Sequence, residues 1–229
     1  MYRTYWNQMI FIIDFDGTLS PEDTVDKLLE HHADPLWHEL ETDWLAGRIS
    51  AVECMREQVG LVRADRITLG KFFQDIRLDP HFSGFWQYVR EFSMLAVVSD
   101  GLDYGIKAAL RSAGLSGFPV FANQLDFVAP DQLSLSFPHL NADCRSGNGV
   151  CKCAIAKQLA AQHGGPIVLV GDGKSDACLA GIADTVFAKS SLITHCEDQG
   201  ISHIAFEDFS EVLNVVKTWQ LETPCVATA

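Results

Sequence analysis

Two aspartates, Asp14 and Asp16, stand one residue apart at the end of an unbroken apolar run, residues 9–13. Carboxylates this close repel each other, so a cation such as Mg²⁺ is their natural partner. An aspartate can also attack phosphorus and accept a phosphoryl group, while a neighbouring carboxyl group protonates the leaving oxygen. The pair therefore predicts phosphoryl transfer, with Asp14 as nucleophile and Asp16 as general acid and base. The alternative is a simple strand end, in which Asp16 accepts hydrogen bonds from nearby backbone amides.

A second polar turn, formed by Ser99, Asp100 and Gly101, follows the apolar run of residues 94–98. A helix is predicted over residues 102–113, which places this turn at its N-terminus. Backbone amides at a helix N-terminus bind anions, and the Ser99 hydroxyl adds a further donor. We therefore expect Ser99 and the amides of Asp100 and Gly101 to bind phosphate oxygens, and a helix-capping role for Ser99 is compatible with this.

A third polar turn, residues 171–176, follows another apolar run. Asp172 is the natural further carboxylate for Mg²⁺, because the glycines on either side let the backbone come close to a ligand. Asp176 can hold a metal-bound water or a lysine in place. A lysine is needed to offset the charge of a phosphate, and either Lys152 or Lys157, on the preceding predicted helix, could supply it.

Apolar runs that alternate with helical segments predict the scaffold that carries these turns. The runs that we interpret as strands are 9–13, 94–98, 120–122, 167–170, 185–188 and 204–205, with a hairpin between residues 125 and 135. This alternation is typical of a doubly wound, Rossmann-like α/β fold with a parallel sheet. The carboxyl ends of parallel strands meet at one edge, so we expect the three polar turns to share one crevice.

Residues 20–93 show a helical pattern and no predicted strand. Apolar residues recur there at helical spacing, and Ser50 followed by Glu53 predicts a capping box. We therefore expect a catalytic core of residues 1–19 and 94–229, and a small α-helical domain of residues 20–93 inserted after the first strand. The tail, residues 222–229, is predicted to be poorly ordered.

Taken together, the motifs resemble those of the haloacid dehalogenase superfamily of phosphatases. DFDGTL resembles the first motif, VVSDG the second, Lys152 within Cys151-Lys152-Cys153 the third, and GDGKSD the fourth, so the resemblance spans nearly the whole chain. The helical insertion resembles the small cap of the phosphoserine phosphatase-like branch. Within that branch, the chain is most similar to the subgroup that includes the methylthiopentenyl phosphate phosphatase of methionine salvage.

The resemblance implies an Mg²⁺-dependent phosphomonoesterase that acts on a small phosphorylated metabolite through an aspartyl-phosphate. It implies that Asp14 is nucleophile and Mg²⁺ ligand, and that Asp16 is acid, base and a ligand through its backbone carbonyl. Ser99 and Lys152 would bind phosphate. Asp172 would bind Mg²⁺ with support from Asp176.

Several substrates and activities remain open. Phosphoserine phosphatases carry a glutamate where this chain has Asp23, so phosphoserine is an alternative to a methionine-salvage substrate. A phosphotransferase would use the same intermediate. A phospho-accepting receiver has a similar acidic site, but Asp16 would speed the loss of the phosphoryl group, and a cap has no purpose there. A binding protein without activity is disfavoured by the complete set of motifs.

Four residues of the insertion are candidates for contact with the substrate: Asp23, Arg48, Met55 and Arg56. An arginine could pair with an anionic group of the substrate through two parallel hydrogen bonds. The alternative for each is an exposed helix surface or packing between the insertion and the core.

The composition limits the partners and the compartment. The formal net charge of −13 argues against nucleic acids and anionic membranes as partners. No apolar run is long enough for a membrane span and no secretory signal is evident, so we expect a cytoplasmic protein. Its seven cysteines are then expected to be reduced. His139, Cys144, Cys151 and Cys153 could instead bind a metal, although their spacing is not that of a typical zinc site. The oligomeric state is left open between monomer and homodimer.

Overall fold

A sheet of seven strands forms the centre of the computed structural model, which describes residues 8–144 and 147–221. The strands are β1 (Ile10–Ile13), β2 (Met94–Leu102), β3 (Val120–Ala129), β4 (Gln132–Ser136), β5 (Ile167–Gly171), β6 (Thr185–Ala188) and β7 (Ile204–Ala205). Their order is β4-β3-β2-β1-β5-β6-β7, and every pair is parallel except β3 and β4. The predicted doubly wound α/β fold is confirmed. The tail that we predicted to be poorly ordered lies outside the described residues.

Ten α-helices accompany the sheet in the described part of the chain. They are α1 (Thr24–His32), α2 (Trp37–Leu45), α3 (Ala51–Gly60), α4 (Arg66–Gln74), α5 (Phe82–Val89), α6 (Asp103–Ser112), α7 (Lys152–His163), α8 (Ala177–Ala180), α9 (Ser191–Gln199) and α10 (Phe209–Leu221). A single 3₁₀ turn, Lys174–Asp176, precedes α8. None of the described helices combines the length and the apolar character that a membrane crossing needs.

The central strand β1 is apolar throughout because both of its faces are covered. Ile10 and Ile12 pack into the hydrophobic cluster on one side of the sheet, and Phe11 and Ile13 pack into the cluster on the other. All four side chains are fully buried. Each contributes on the order of 1.5–3 kcal/mol by leaving water, which fixes the position at which β1 ends and Asp14 begins.

The neighbours of β1 are β2 on one side and β5 on the other. The chain therefore builds the sheet outward in two directions from this centre, which is the arrangement that opens a crevice at the carboxyl ends of the strands. The three polar turns predicted from the sequence follow or end these three strands.

Five helices, α1–α5, and no strand lie between β1 and β2, in agreement with the helical pattern of residues 20–93. The capping box at Ser50 and Glu53 is confirmed, since each residue accepts a hydrogen bond from the backbone amide of the other. Helix α5 packs onto the sheet, with the ring of Phe85 5.3 Å from that of Phe11. The division of residues 20–93 from the core as a separate domain remains a prediction.

Three elements differ from the sequence-based expectation. Strand β2 continues to Leu102, where it pairs with Asn123, so α6 begins at Asp103. The predicted third strand and the first half of the hairpin form one strand, β3. Helix α9 was not predicted, because within it only Leu192 and Cys196 are buried and its remaining residues give little helical periodicity.

Candidate active site

Asp14, Lys152 and Asp176 form a buried cluster at the carboxyl ends of β1 and β5. The Lys152 Nζ lies 2.8 Å from Asp14 Oδ2 and 2.7 Å from Asp176 Oδ1. All three residues are less than 5 % exposed. An ammonium group has three donors, so Lys152 retains one for another acceptor after binding both carboxylates. Lys157, the alternative lysine, is exposed one and a half turns further along α7.

This cluster contains two carboxyl groups and only one ammonium group. Burial and the neighbouring Asp176 raise the pKa of Asp14 well above its usual range, and only Lys152 opposes them strongly. Burial alone would lower the pKa of Lys152, but the carboxylates of Asp14 and Asp176 raise it above its ordinary value. The lysine therefore stays charged, and the aspartates still lack a full complement of positive charge.

Asp172 brings a third carboxylate to the same place. One oxygen each of Asp14, Asp172 and Asp176 lie within 4.8 Å of one another, and this is the sole such group of His, Cys, Asp and Glu in the described residues. Asp172 Oδ1 accepts a hydrogen bond from Thr18 Oγ1 at 3.1 Å. Gly17, at φ +74°, lets the first turn approach so closely that a Cβ there would lie 2.3 Å from Asp172 Oδ2.

The donor set of this group suits a hard divalent cation. Carboxylate oxygens are the ligands that Mg²⁺ and Ca²⁺ prefer, and three clustered acids around one lysine leave negative charge for a cation to offset. Asp176 is heavily engaged, because its Oδ2 accepts the amides of Asp172 and Gly173 at 3.1 and 3.2 Å. Asp14 and Asp172 are therefore the two carboxylates best placed to serve as ligands, and Asp176 fixes the turn that holds Asp172.

Asp16 points away from this group and into an open cleft. Its Oδ1 accepts hydrogen bonds from the Thr24 amide at 2.8 Å and the Thr24 hydroxyl at 2.6 Å. Within the part of the chain that the structure describes, its Oδ2 has one weak partner, the Ser99 hydroxyl at 3.5 Å. Burial, with a contribution from Asp23, raises the pKa of Asp16 to about 7. A carboxyl group with this pKa can both give and take a proton near neutral pH.

The second polar turn lies beside Asp16 and directly precedes Leu102, the N-cap of α6, which begins one residue later than predicted. Because β2 continues to Leu102, Ser99 and Gly101 belong to the strand extension and precede α6. The Gly101 amide donates to Ser99 Oγ at 2.9 Å, so it is not free for a ligand. A Cβ at Gly101 would lie 2.6 Å from Asp16 Oδ2, which shows how closely the turn approaches that carboxylate.

A cleft of about 270 Å³ opens beyond Asp16 and Gly101. Its apolar side is formed by α1, α2 and α3 through Val25, Trp44, Ala51, Cys54 and Met55. Its polar lining is unusually acidic: Asp16, Asp23, Asp26, Glu41 and Asp100, together with Gln58 and Asn148. No lysine or arginine is among the lining residues that the structure describes.

The candidate substrate-contacting residues of the insertion divide into two groups. Asp23 and Met55 line the cleft, and Asp23 also caps α1 by accepting the amides of Val25 and Asp26. Arg48 is exposed and pairs with Asp43, whose Oδ1 lies 2.7 Å from the arginine Nε. Arg56 is exposed and lies over the ring of Phe137 at 5.1 Å. The structure thus places neither arginine at the cleft.

The thiols and His139 do not form a metal site in the described part of the chain. A metal would need at least three ligand atoms close together, and His139, Cys144, Cys151 and Cys153 contain no such group. None of the six cysteines described by the structure belongs to a disulfide bond.

Four polar residues around the site were missed by the sequence analysis: Thr18, Thr24, Asn123 and Lys189. Lys189 Nζ donates to the Thr18 carbonyl at 3.2 Å, which ties the first turn to the end of β6. Lys189 and Asn123 each follow an apolar segment of β6 or β3, so the rule that found the other turns could have found them. Thr18 and Thr24 gave no such signal, because their partners depend on how the turn after β1 folds back.

Curated proteins of known name resemble this chain over nearly its full length. In a scan against models of protein families, no model matches. Among curated proteins, the chain is 30% identical over 210 residues to the 2-hydroxy-3-keto-5-methylthiopentenyl-1-phosphate phosphatase of Exiguobacterium sp., covering 90% of this chain and 96% of that one. It is 28% identical over 220 residues to the protein of the same name from Geobacillus kaustophilus, covering 93% and 98%.

Solved structures show the same fold at lower sequence identity. A phosphoserine phosphatase from T. onnurineus superimposes with a TM-score of 0.66 at 17% identity, covering 94% of this chain and 98% of that one. A phospho-aspartyl intermediate analogue of phosphoserine phosphatase gives 0.64 at 18% identity, covering 91% and 99%. A HAD family hydrolase from Salmonella enterica gives 0.71 at 18% identity, covering 91% and 71%.

Proposed function

Because this chain belongs to the haloacid dehalogenase superfamily of phosphatases, we propose that it hydrolyses the phosphomonoester of a small metabolite through an aspartyl-phosphate on Asp14. The observation that carries the proposal is the bridge from Lys152 to Asp14 and Asp176. It fixes one carboxylate beside an ammonium group with a spare donor, at the edge of the sheet where ligands bind.

In the first step, an Asp14 oxygen attacks phosphorus while the bond to the leaving oxygen breaks. Lys152 remains charged and offers its third N–H to a phosphate oxygen. Asp16 Oδ2 faces the cleft and gives its proton to the leaving oxygen. In the second step, water attacks the phosphorus of the aspartyl-phosphate. Asp16 then takes the proton of that water, and inorganic phosphate leaves.

Asp14 and Asp172 would hold Mg²⁺, together with the backbone carbonyl of Asp16 that the family resemblance implies. When bound, the ion would neutralise phosphate charge and polarise its oxygens. Asp176 would support this site by holding the backbone amides of Asp172 and Gly173.

The helices of residues 20–93 are proposed as a cap that selects the substrate. Helices α1, α2 and α3 contribute one side of the cleft beyond Asp16, so the group esterified to phosphate would contact them. A cleft of about 270 Å³ suits a metabolite and not a folded phosphoprotein. The names of the curated relatives favour a methylthiopentenyl phosphate, and the apolar side formed by Trp44 and Met55 would accommodate a methylthio group.

A second candidate, an amine-bearing phosphomonoester such as phosphoserine, is favoured by the charge of the cleft. Asp23, Asp26 and Glu41 line it without a lysine or arginine among the described lining residues. Burial raises the pKa of Asp23 and also that of Asp26, which reaches about 6, so a cation would be a better partner for them than a neutral group.

The test is phosphate release by the purified protein from p-nitrophenyl phosphate, phosphoserine and the methylthiopentenyl phosphate. We expect release that needs Mg²⁺, stops with a chelator, and falls at least about 10⁴-fold in Asp14→Asn, because an amide does not attack phosphorus. Asp198→Asn, which changes an exposed aspartate of α9, is the matched control. Substantial activity of Asp14→Asn would rule out the aspartyl-phosphate, and product formation only with an added acceptor alcohol would indicate a phosphotransferase.

A further inference from the structure

Asn123 has no part in the proposed reaction, but it lies next to the second polar turn of the proposed site. The residue pairs with Leu102 where β2 and β3 run in parallel, directly beyond the second polar turn. Its side chain is fully buried, and its Oδ1 has no hydrogen-bond partner among the described residues. An unpaired buried oxygen is unfavourable. Packing alone therefore does not explain why an amide side chain occupies this position.

The side chain binds the backbone of two segments that meet the cleft. Its Nδ2 donates to the carbonyl of Asp100 at 2.6 Å and lies 3.4 Å from the carbonyl of Asn148. Asn148 in turn donates to the Asp100 carboxylate at 2.9 Å. Asp100 and Asn148 line the cleft, so Asn123 supports them from behind.

The short bond to Asp100 also fixes the next amide. The peptide bonds of the described chain are trans, so the carbonyl of Asp100 and the N–H of Gly101 point in opposite directions. The Gly101 N–H donates to Ser99 Oγ, and the Ser99 hydroxyl donates to Asp16 Oδ2. A polar chain thus runs from Asn123 through one peptide group to the proposed acid and base.

We propose that Asn123 is a positioning residue that holds the Asp100–Gly101 peptide in the one orientation that presents Ser99 to Asp16 and to a phosphate oxygen. The inference rests on the proposed function. A glycine at position 101 is required because a Cβ would lie 2.6 Å from Asp16 Oδ2. Glycine also makes a flip of the preceding peptide easy, since it tolerates both resulting conformations. Asn123 opposes that flip.

A second contact holds the Oδ1 side of the Asn123 amide group in place. Gly149 has φ +89°, and a Cβ there would lie 2.5 Å from Asn123 Oδ1. The loop that carries Asn148 therefore packs directly onto the amide group. This contact leaves Asn123 little freedom to rotate, so its donor stays directed at Asp100.

Two substitutions of similar size test the role. Asn123→Leu removes the donor without adding charge, and Asn123→Asp removes the donor and adds a charge. Gln124→Glu, which adds the same charge at the exposed neighbouring position, is the control. The measurements are kcat and KM with p-nitrophenyl phosphate, the melting temperature, and its rise on adding inorganic phosphate with Mg²⁺, which requires no turnover.

We expect both variants to lose about 100-fold in kcat/KM, as for other misplaced catalytic groups, and to bind phosphate at least about 10-fold more weakly. The control should match the wild type in kcat/KM and in phosphate affinity, although it loses the hydrogen bond from Gln124 to Asp126. A Leu variant with wild-type phosphate affinity and kcat overturns the inference, as does a loss confined to Asn123→Asp or to the melting temperature. Asn123→Ser, which is smaller and polar, replaces the Leu variant if that chain does not fold.

Failure of the proposed function gives a different result. A wild-type protein that neither hydrolyses a phosphomonoester nor gains stability from phosphate contradicts the function itself. A wild-type protein that does both, with variants that equal it, contradicts only the role of Asn123.

Discussion

The Lys152 ammonium group lies 2.8 Å from the Asp14 carboxylate, with both side chains shielded from solvent. Helix α7 begins at Lys152, so the side chain enters the site from the first residue of the helix. Asp176 binds the same ammonium group. The positive charge of Lys152 therefore offsets the repulsion between the Asp14 and Asp176 carboxylates.

Lys152→Met is expected to abolish turnover and to destabilise the protein. Removing one partner of a buried ion pair leaves the other charges uncompensated, at a cost of about 3–5 kcal/mol. Activity should fall at least about 100-fold, since the phosphate also loses its donor. Lys157→Met, five residues along the same helix and exposed, is the control and should change neither property. Thermal unfolding measures the stability, and phosphate release measures the activity. Equal losses in Lys152→Met and Lys157→Met would contradict the role of Lys152 as the phosphate-binding lysine.

Asp16→Asn should separate the two chemical steps. The p-nitrophenolate leaving group departs without a proton, so attack by Asp14 should proceed in this variant. Hydrolysis of the aspartyl-phosphate then lacks its base and should slow by about 10²–10⁴-fold. Rapid mixing should therefore show a burst of about one p-nitrophenolate per enzyme, followed by slow release, and no burst in Asp14→Asn. A uniform slow release without a burst would show that the attack by Asp14 itself depends on the Asp16 carboxyl group, even for a leaving group that needs no proton.

Candidate site residues that directly follow an apolar strand could be located from the sequence alone. Asp14, Ser99 and Asp172 each occur where a buried run stops, and a parallel sheet brings such positions to one edge. The choice between Lys152 and Lys157 required the orientation of α7, which its weak amphipathic pattern did not give. The extension of β2 through the second polar turn to Leu102 was not predicted, because it depends on pairing with β3, a contact between residues far apart in the chain. Thr24 was missed for a local reason, since its contact with Asp16, eight residues earlier, depends on how the turn after β1 folds back.

Gly17→Ala tests the close approach of the first and third turns. Gly17 and Gly47 have similar positive φ angles, +74° and +70°, but a Cβ at Gly47 would meet no atom of the described residues within 4 Å. Both substitutions to Ala should therefore cost about 1–2 kcal/mol through the backbone. Only Gly17→Ala should also displace Asp172 and raise the Mg²⁺ concentration needed for half-maximal activity, by about 10-fold or more. An unchanged Mg²⁺ requirement would remove Asp172 from the proposed metal site.

The stability of the metal-free protein should depend on pH through Asp16. Its pKa is raised from an ordinary value of about 3.9 to about 7, mainly by burial. Between these values the folded state binds more protons than the unfolded state, so this group's contribution to stability is lost as pH rises toward 7. Asp16→Asn does not titrate. The melting temperature of this variant relative to the wild type, measured with a chelator, should therefore rise by several degrees from about pH 4 to pH 8, and parallel curves would contradict the raised pKa.

Asp23→Asn distinguishes the two candidate substrates. Asparagine caps a helix as well as aspartate does, so the variant should keep α1 intact while it removes one charge from the cleft. The loss of an ionic hydrogen bond to an ammonium group should raise KM for phosphoserine by about 10- to 100-fold. KM for the methylthiopentenyl phosphate should stay the same or fall, because that substrate carries no positive charge for Asp23 to bind. Asp65→Asn, which changes the N-cap aspartate of α4 outside the cleft, should leave both values unchanged. A variant with unaltered KM for phosphoserine would exclude Asp23 from recognition of an amine and leave the apolar side of the cleft as the source of specificity.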